Sequence, residues 1–319
     1  MVISILIIVA GFVLLIKGAD WLVTGSSALA KKYNVSDLVI GLTIVSFGTS
    51  APELVVNSVA SFQQHSDIVF GNILGSNIVN LFLILGIAGL IYPITVHTNT
   101  VWKEIPVSVL AVVVLYFLSN GFLLQQNNVL TRFDGLILLA FFGAFLYYIY
   151  VQMKADRNDP EKLSIKKLAG WKIWLLIVGG LTGLILGGKL VVDNAVKIAT
   201  ELGISEKIIG LTIIAIGTSL PELMTSVVAA IKKNSDIAIG NIIGSNIFNI
   251  FLILSVSSII NPVDFNTSFN TELYLLGGGT LVLFIAMFTG GKQRLDRWES
   301  VILLVTYILY TVSLISREI

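Results

Sequence analysis

The sequence predicts an all-α polytopic membrane protein: ten transmembrane helices forming two inverted-topology five-helix repeats, with helices 2, 3, 7 and 8 broken. Three observations predict it. Only 12% of the 319 residues are charged and 55% are hydrophobic, whereas soluble domains carry about 25% charged residues. Apolar stretches of about twenty residues, the length that crosses a bilayer, recur along the whole chain. The stretch 38–85 also returns at 207–254 without a gap, identical at 28 of 48 positions.

Taken in order, the spans fall near 2–28, 38–62, 68–91, 104–124, 133–152, 172–198, 207–231, 237–260, 272–289 and 298–316. The first begins at Val2 with no basic region before it and no small-residue cleavage site, so it reads as a retained helix. The polar stretch from Lys154 to Lys172 holds Asp156, Asp159, Pro160 and Glu161 among lysines. It reads as a linker, 154–171, between an N-terminal half at 1–153 and a C-terminal half at 172–319. Alternate loops carry fourteen Lys and Arg on one side and four on the other. The richer set, linker included, is expected in the cytoplasm of a multi-pass cell (inner) membrane protein, which places both termini outside. Each half holds five spans, an odd number, so the second copy enters the membrane from the opposite side. Transporters built this way bind substrate near the midplane, on interrupted helices.

Composition excludes other classes. A net charge of +1 gives no reason to expect nucleic acid, and the absence of cysteine excludes disulfides and thiolate metal sites. No cofactor is expected, and the lipid bilayer is the surrounding partner of a chain expected to be monomeric. A membrane-embedded hydrolase would need a GxSxG with His, a His-rich zinc motif or an intramembrane aspartate pair, and none is present.

Polar residues inside the spans carry the chemistry. Gly48 to Leu54 reads GTSAPEL and Gly217 to Leu223 reads GTSLPEL. Pro52 and Pro221 lack an N–H and crowd the carbonyl four residues back, so helix breaks are expected at Gly48 and Gly217. The freed carbonyls must be buried in protein or line a wet cavity. Glu53 follows Ser50 by three residues and Glu222 follows Ser219 by three, which puts each pair on one helix face. Carboxylate, hydroxyl and loosened carbonyl are all oxygen ligands, the kind hard cations such as calcium take. An intramembrane carboxylate is costly and marks a functional site by default. The structural alternative is a protonated glutamate bridging helices; two symmetric copies argue against it.

A second motif follows each first one: GNILGSNIVN at Gly71 to Asn80 and GNIIGSNIFN at Gly240 to Asn249. Ser76 with Asn80, and Ser245 with Asn249, stand at i and i+4 and form oxygen-bearing stripes. Gly75 and Gly244 are read as helix breaks, with the glycines of this motif also allowing close packing. Asn72 and Asn77 are expected to cap or cross-link broken helix ends, and Asp67 and Asp236 to serve as N-caps.

These paired motifs resemble the two α-repeats of the calcium/cation antiporter superfamily, and are most similar to those of prokaryotic sodium/calcium exchangers. The resemblance spans the ten-helix plan, with repeats at about 38–90 and 207–259. It implies a secondary antiporter, not an enzyme, with sodium and calcium as the transported ions and four cation sites around the two glutamates. It implies a calcium site of Glu53 and Glu222 with the carbonyls of Thr49 and Thr218. Sodium would also use Ser50, Ser76, Ser219 and Ser245, plus carbonyls near Ser46 and Ala215. Asn80 and Asn249 would line the central position, and spans one and six would slide to switch access. Some relatives, potassium-dependent exchangers among them, have aspartate where this chain has Asn249, so a third carboxylate is missing here. A proton/calcium or other cation antiporter of the same fold stays open, because oxygen ligands do not choose the coupling ion.

Overall fold

The computed structural model describes residues 2–121, 128–158, 168–202, 215–290 and 293–318. Within them lie eight helices long and apolar enough to cross a membrane, and a ninth span if a bent pair is taken as one. In chain order the helices are α1 (Val2–Tyr33), α2 (Asp37–Thr49), α3 (Ala51–Phe62), α4 (Ser66–Ile91), α5 (Thr100–Ser119) and α6 (Arg132–Asn158), then α7 (Gly170–Glu201), α8 (Ala215–Thr218), α9 (Leu220–Ile231), α10 (Ser235–Ile260), α11 (Asn270–Ala286) and α12 (Arg297–Glu318). The bent pair is α2 and α3, which meet at 47°. The expected seventh span, 207–231, begins among residues outside the described set; α9 supplies its apolar second part. Most of the expected linker likewise lies outside it.

The first helix of each half is long. At 1.5 Å per residue, the 32 residues of α1 and of α7 each run about 48 Å, beyond the roughly 30 Å of hydrocarbon. The two pack together along a glycine seam. A Cβ added to Gly18 would sit 2.8 Å from the carbonyl oxygen of Gly180, and one on Gly180 would sit 2.8 Å from that of Gly18. Gly11 and Gly187 face each other in the same way, at 3.0 and 2.8 Å. Backbone lies directly on backbone, as small residues allow between helices in lipid.

The most buried helices are α4 and α10, and both carry a wider π-helical stretch, Val79–Ile84 and Phe248–Ile253. These two stretches are 169 residues apart, the offset of the sequence repeat. Short strands tie the halves together. β1 (Ile94–Thr95) pairs antiparallel with β4 (Arg294–Leu295), and β2 (Val129–Leu130) with β3 (Val263–Asp264). Between the interior helices, the Ser61 hydroxyl donates to the carbonyl of Ser257 at 2.6 Å, fastening α3 to α10.

Two expectations are corrected. Helices 3 and 8 are not broken at Gly75 and Gly244, which lie inside regular α-helix. Glycine alone weakens a helix but keeps its N–H, and no proline falls within 66–91 or 235–260. The irregularity takes the form of π turns a few residues later, a distortion that keeps the backbone bonded. Asp67 and Asp236 sit in the first helical turn; the capping positions are His65 and Asn234, and the Asn234 side chain accepts from the N–H of Ile237 at 3.0 Å.

Candidate functional site

The site is assembled where α2 turns into α3 and α8 turns into α9. In each case the turn is at a serine. Ser50 (φ −85°, ψ 6°) and Ser219 (φ −89°, ψ 8°) leave helical geometry, and Pro52 and Pro221 stand in the first turn of the helix that follows. The Ser50 N–H closes the earlier ladder on the Ser46 carbonyl, and the Leu54 N–H opens the next on Ser50. Between them Pro52 has no N–H to offer the carbonyl of Gly48. The breaks thus come two residues after Gly48 and Gly217. Those glycines make room instead: a Cβ would run into Leu181 at Gly48 and into Val192 at Gly217, both on α7.

Glu53 and Glu222 are each 1% exposed and lie close enough to repel one another. No lysine, arginine or histidine pairs with either among the described residues. The Ser50 hydroxyl crosses from the first half and donates to Glu222 Oε1 at 2.8 Å, and Ser245 approaches the same oxygen at 3.4 Å. Glu53 faces Thr218 and Ser219 of the second half. Among the described residues, both of its carboxylate oxygens, and Glu222 Oε2, lack a hydrogen-bonding partner. So do the hydroxyls of Ser76 and Ser219 and the amide oxygens of Asn80 and Asn249. Buried polar atoms are nearly always partnered; the orphaned oxygens of this interior include carboxylate oxygens of both glutamates and oxygens of Ser76, Ser219, Asn80 and Asn249, alongside others such as Glu104 Oε2 and Thr225 Oγ1.

Of the remaining expected residues, Thr49 is fully buried and its hydroxyl reaches Asn241 Oδ1 at 3.0 Å; Thr218 donates to Asn72 Oδ1 at 3.4 Å. These two contacts exchange under the 169-residue offset. Ser46 is buried against Gly244, where a Cβ would come within 2.7 Å of its hydroxyl. Ala215 opens α8.

Sequence reasoning missed a supporting ring. Asn241 Nδ2 bonds the Glu222 carbonyl at 3.3 Å and the Ser226 hydroxyl at 3.0 Å, and Asn57 Nδ2 bonds the Glu53 carbonyl at 2.7 Å. Asn57 and Ser226 stand four residues after their glutamates and occupy equivalent repeat positions. That spacing was the available signal. Chemically the set is all oxygen and holds only two acids; no group of three or more His, Asp and Glu forms among the described residues. Such a set suits hard cations.

Comparison with known proteins agrees in extent with this architecture. Residues 3–151 and 172–316 match the family described as sodium/calcium exchanger protein. The chain is 39% identical to the putative antiporter CaxA of Alkalimonas amylolytica, over 99% of this chain and 100% of that one. It is 33% identical to the sodium/calcium exchanger MaX1 of Methanosarcina acetivorans, over 98% of both. Among solved structures it is similar to the sodium-calcium exchanger NCX_Mj soaked without sodium and calcium. The TM-score there is 0.82 at 35% identity, covering 98% of this chain and 100% of that chain.

Proposed function

Because this chain belongs to the sodium/calcium exchanger protein family, we propose that it is a secondary antiporter exchanging sodium for calcium across the cell membrane by alternating access. One observation carries the reading: two buried, repelling carboxylates from opposite halves, with no cationic side chain paired to either and three of their four oxygens without a hydrogen-bonding partner among the described residues. Two anions in a low-dielectric interior are severely unfavourable unless a cation joins them. Calcium neutralises a site of about −2, and so do two sodium ions, so the same oxygens serve either cargo in turn.

Glu53 and Glu222 with the carbonyls of Thr49 and Thr218 hold calcium. Ser50, Ser76, Ser219, Ser245 and carbonyls near Ser46 and Ala215 complete the sodium positions, and Asn80 and Asn249 line the centre. Ten helices in two inverted halves carry the site, and α1 and α7 slide against them to switch access. The glycine seam packs α1 and α7 closely on one another, which suits the two moving as one unit. The linker is cytoplasmic, both termini lie outside, and the protein acts as a monomer. Exchange of three sodium ions for one calcium leaves the sodium-loaded site near +1, so the cycle is electrogenic. With Asn249 in place of a third carboxylate, nothing balances a co-transported potassium ion, and exchange is independent of potassium.

Competition tests the shared site. Calcium binding to the purified protein is expected to weaken as sodium rises and to be unaffected by potassium at equal ionic strength. Calcium binding that sodium leaves unchanged refutes a site shared by the two ions.

A further inference from the structure

Four asparagines lie across the junction of α4 and α10, and their bonds exchange under the 169-residue offset. Asn77 Nδ2 donates to the main-chain carbonyl of Asn246 at 3.4 Å, and Asn246 Nδ2 donates to that of Asn77 at 3.5 Å. Asn249 Nδ2 donates to Asn77 Oδ1 at 2.8 Å, and Asn80 Nδ2 to Asn246 Oδ1 at 3.1 Å. All four residues are at least 97% buried, so each bond is made away from water.

The order of these bonds matters. The two ends of an amide are told apart only by their partners. A main-chain carbonyl can accept but never donate. It therefore demands the nitrogen end of Asn77, and of Asn246, and turns their oxygens the other way. Each of those oxygens in turn demands a donor, and takes the nitrogen of Asn249 or Asn80. What remains of Asn249 and Asn80 is an Oδ1 apiece, buried and without a partner among the described residues. Two fixed carbonyls thus dictate, through one intermediate amide, which end of Asn80 and Asn249 is left for a ligand. The difference is decisive for a cation. An amide oxygen is a ligand, whereas an NH₂ group turned to the same place presents its positive end.

Resting on the exchanger reading, we infer that Asn77 and Asn246 are positioning residues which hold the amide oxygens of Asn80 and Asn249 toward the transported cation. The control crosses between halves: Asn77 orients Asn249, and Asn246 orients Asn80. Neither acts on its own neighbour three residues away.

Calcium-45 equilibrium dialysis on the purified protein, with Asn77→Leu, Asn249→Leu and Asn80→Leu alone and in pairs, tests this. Asn77→Leu is expected to weaken calcium binding about tenfold, the scale of one net hydrogen bond. Added to Asn249→Leu it is expected to cost nothing further, because the amide it orients is gone. Added to Asn80→Leu its effect multiplies in full. Independent effects of 77 and 249, or coupling of 77 with 80 instead, overturn the inference. Should Asn77→Leu fail to fold, the mirror cycle carries the test: Asn246→Leu is expected to cost nothing further on top of Asn80→Leu and to multiply in full with Asn249→Leu, and the opposite pattern overturns the inference equally. A wild-type protein that binds neither calcium nor sodium overturns this inference and the exchanger reading together. Wild-type binding with the wrong coupling pattern overturns this inference alone.

Discussion

Glu222→Gln keeps the size of the side chain and one acceptor oxygen, so the Ser50 hydroxyl, 2.8 Å from Glu222 Oε1, retains its partner. What it removes is one of the site's two negative charges. For unit charges about 4 Å apart at an effective dielectric near 20, that charge is worth about 4 kcal/mol. A divalent ion loses about twice as much, about 8 kcal/mol, and sodium about 4. At about 1.4 kcal/mol per tenfold, calcium affinity falls by more than about 10⁵ and sodium affinity by about 10³. Calcium flux is therefore expected to vanish in reconstituted vesicles. The fold is expected to survive, because the substitution also relieves repulsion between two buried carboxylates. In ion-free buffer the variant should melt at or above the wild-type temperature. Calcium at a hundred times its wild-type dissociation constant should stabilise the wild type by about 2.7 kcal/mol and the variant not at all. Calcium flux near wild type in a folded variant would refute the reasoning, and so would equal losses of calcium and sodium binding.

Three further outcomes are expected. Gly18→Val drives a Cβ to 2.8 Å from the Gly180 carbonyl and splays the α1–α7 seam; it should cost about 1–3 kcal/mol and slow exchange while leaving calcium binding intact, and wild-type exchange rates would count against sliding. Asn249→Asp replaces the donor to Asn77 Oδ1 with an acceptor; a loss of about 1–3 kcal/mol in stability together with an altered calcium-to-sodium preference is expected, and a variant unchanged in both would show that Asn249 is not in the site. Cysteines placed singly at Lys154 and Ser316 of this cysteine-free chain should react with an impermeant thiol reagent on intact cells only at 316; labelling only at 154 would reverse the topology.

Much of this architecture was legible because polar residues in an apolar chain need a reason to be there. Glu53, Glu222 and the two prolines stood out against their spans, and the offset of 169 marked Ser76 with Ser245 and Asn80 with Asn249 as pairs. What composition could not give was three-dimensional reach. Nothing in the spacing says that Ser50 crosses to Glu222 rather than bonding its own Glu53, or that Asn77 meets Asn246. The sites of distortion were also misjudged. Proline removes a donor and so forces a break nearby, but glycine only permits one, and at Gly75 and Gly244 the ladder stays helical, deforming later as π turns. Asn57 and Ser226 were overlooked because single small polar residues are common in membrane helices; only their equivalence across the repeat sets them apart.

Calcium-45 uptake into proteoliposomes under separate sodium, potassium and proton gradients, with the membrane potential clamped, tests the central claim most directly. Uptake is expected only with an outward sodium gradient, unaffected by potassium. It should steepen with potential, because each cycle moves one net charge worth about 2.3 kcal/mol per 100 mV. Uptake driven by protons without sodium, an absolute requirement for potassium, or flux indifferent to potential would contradict it.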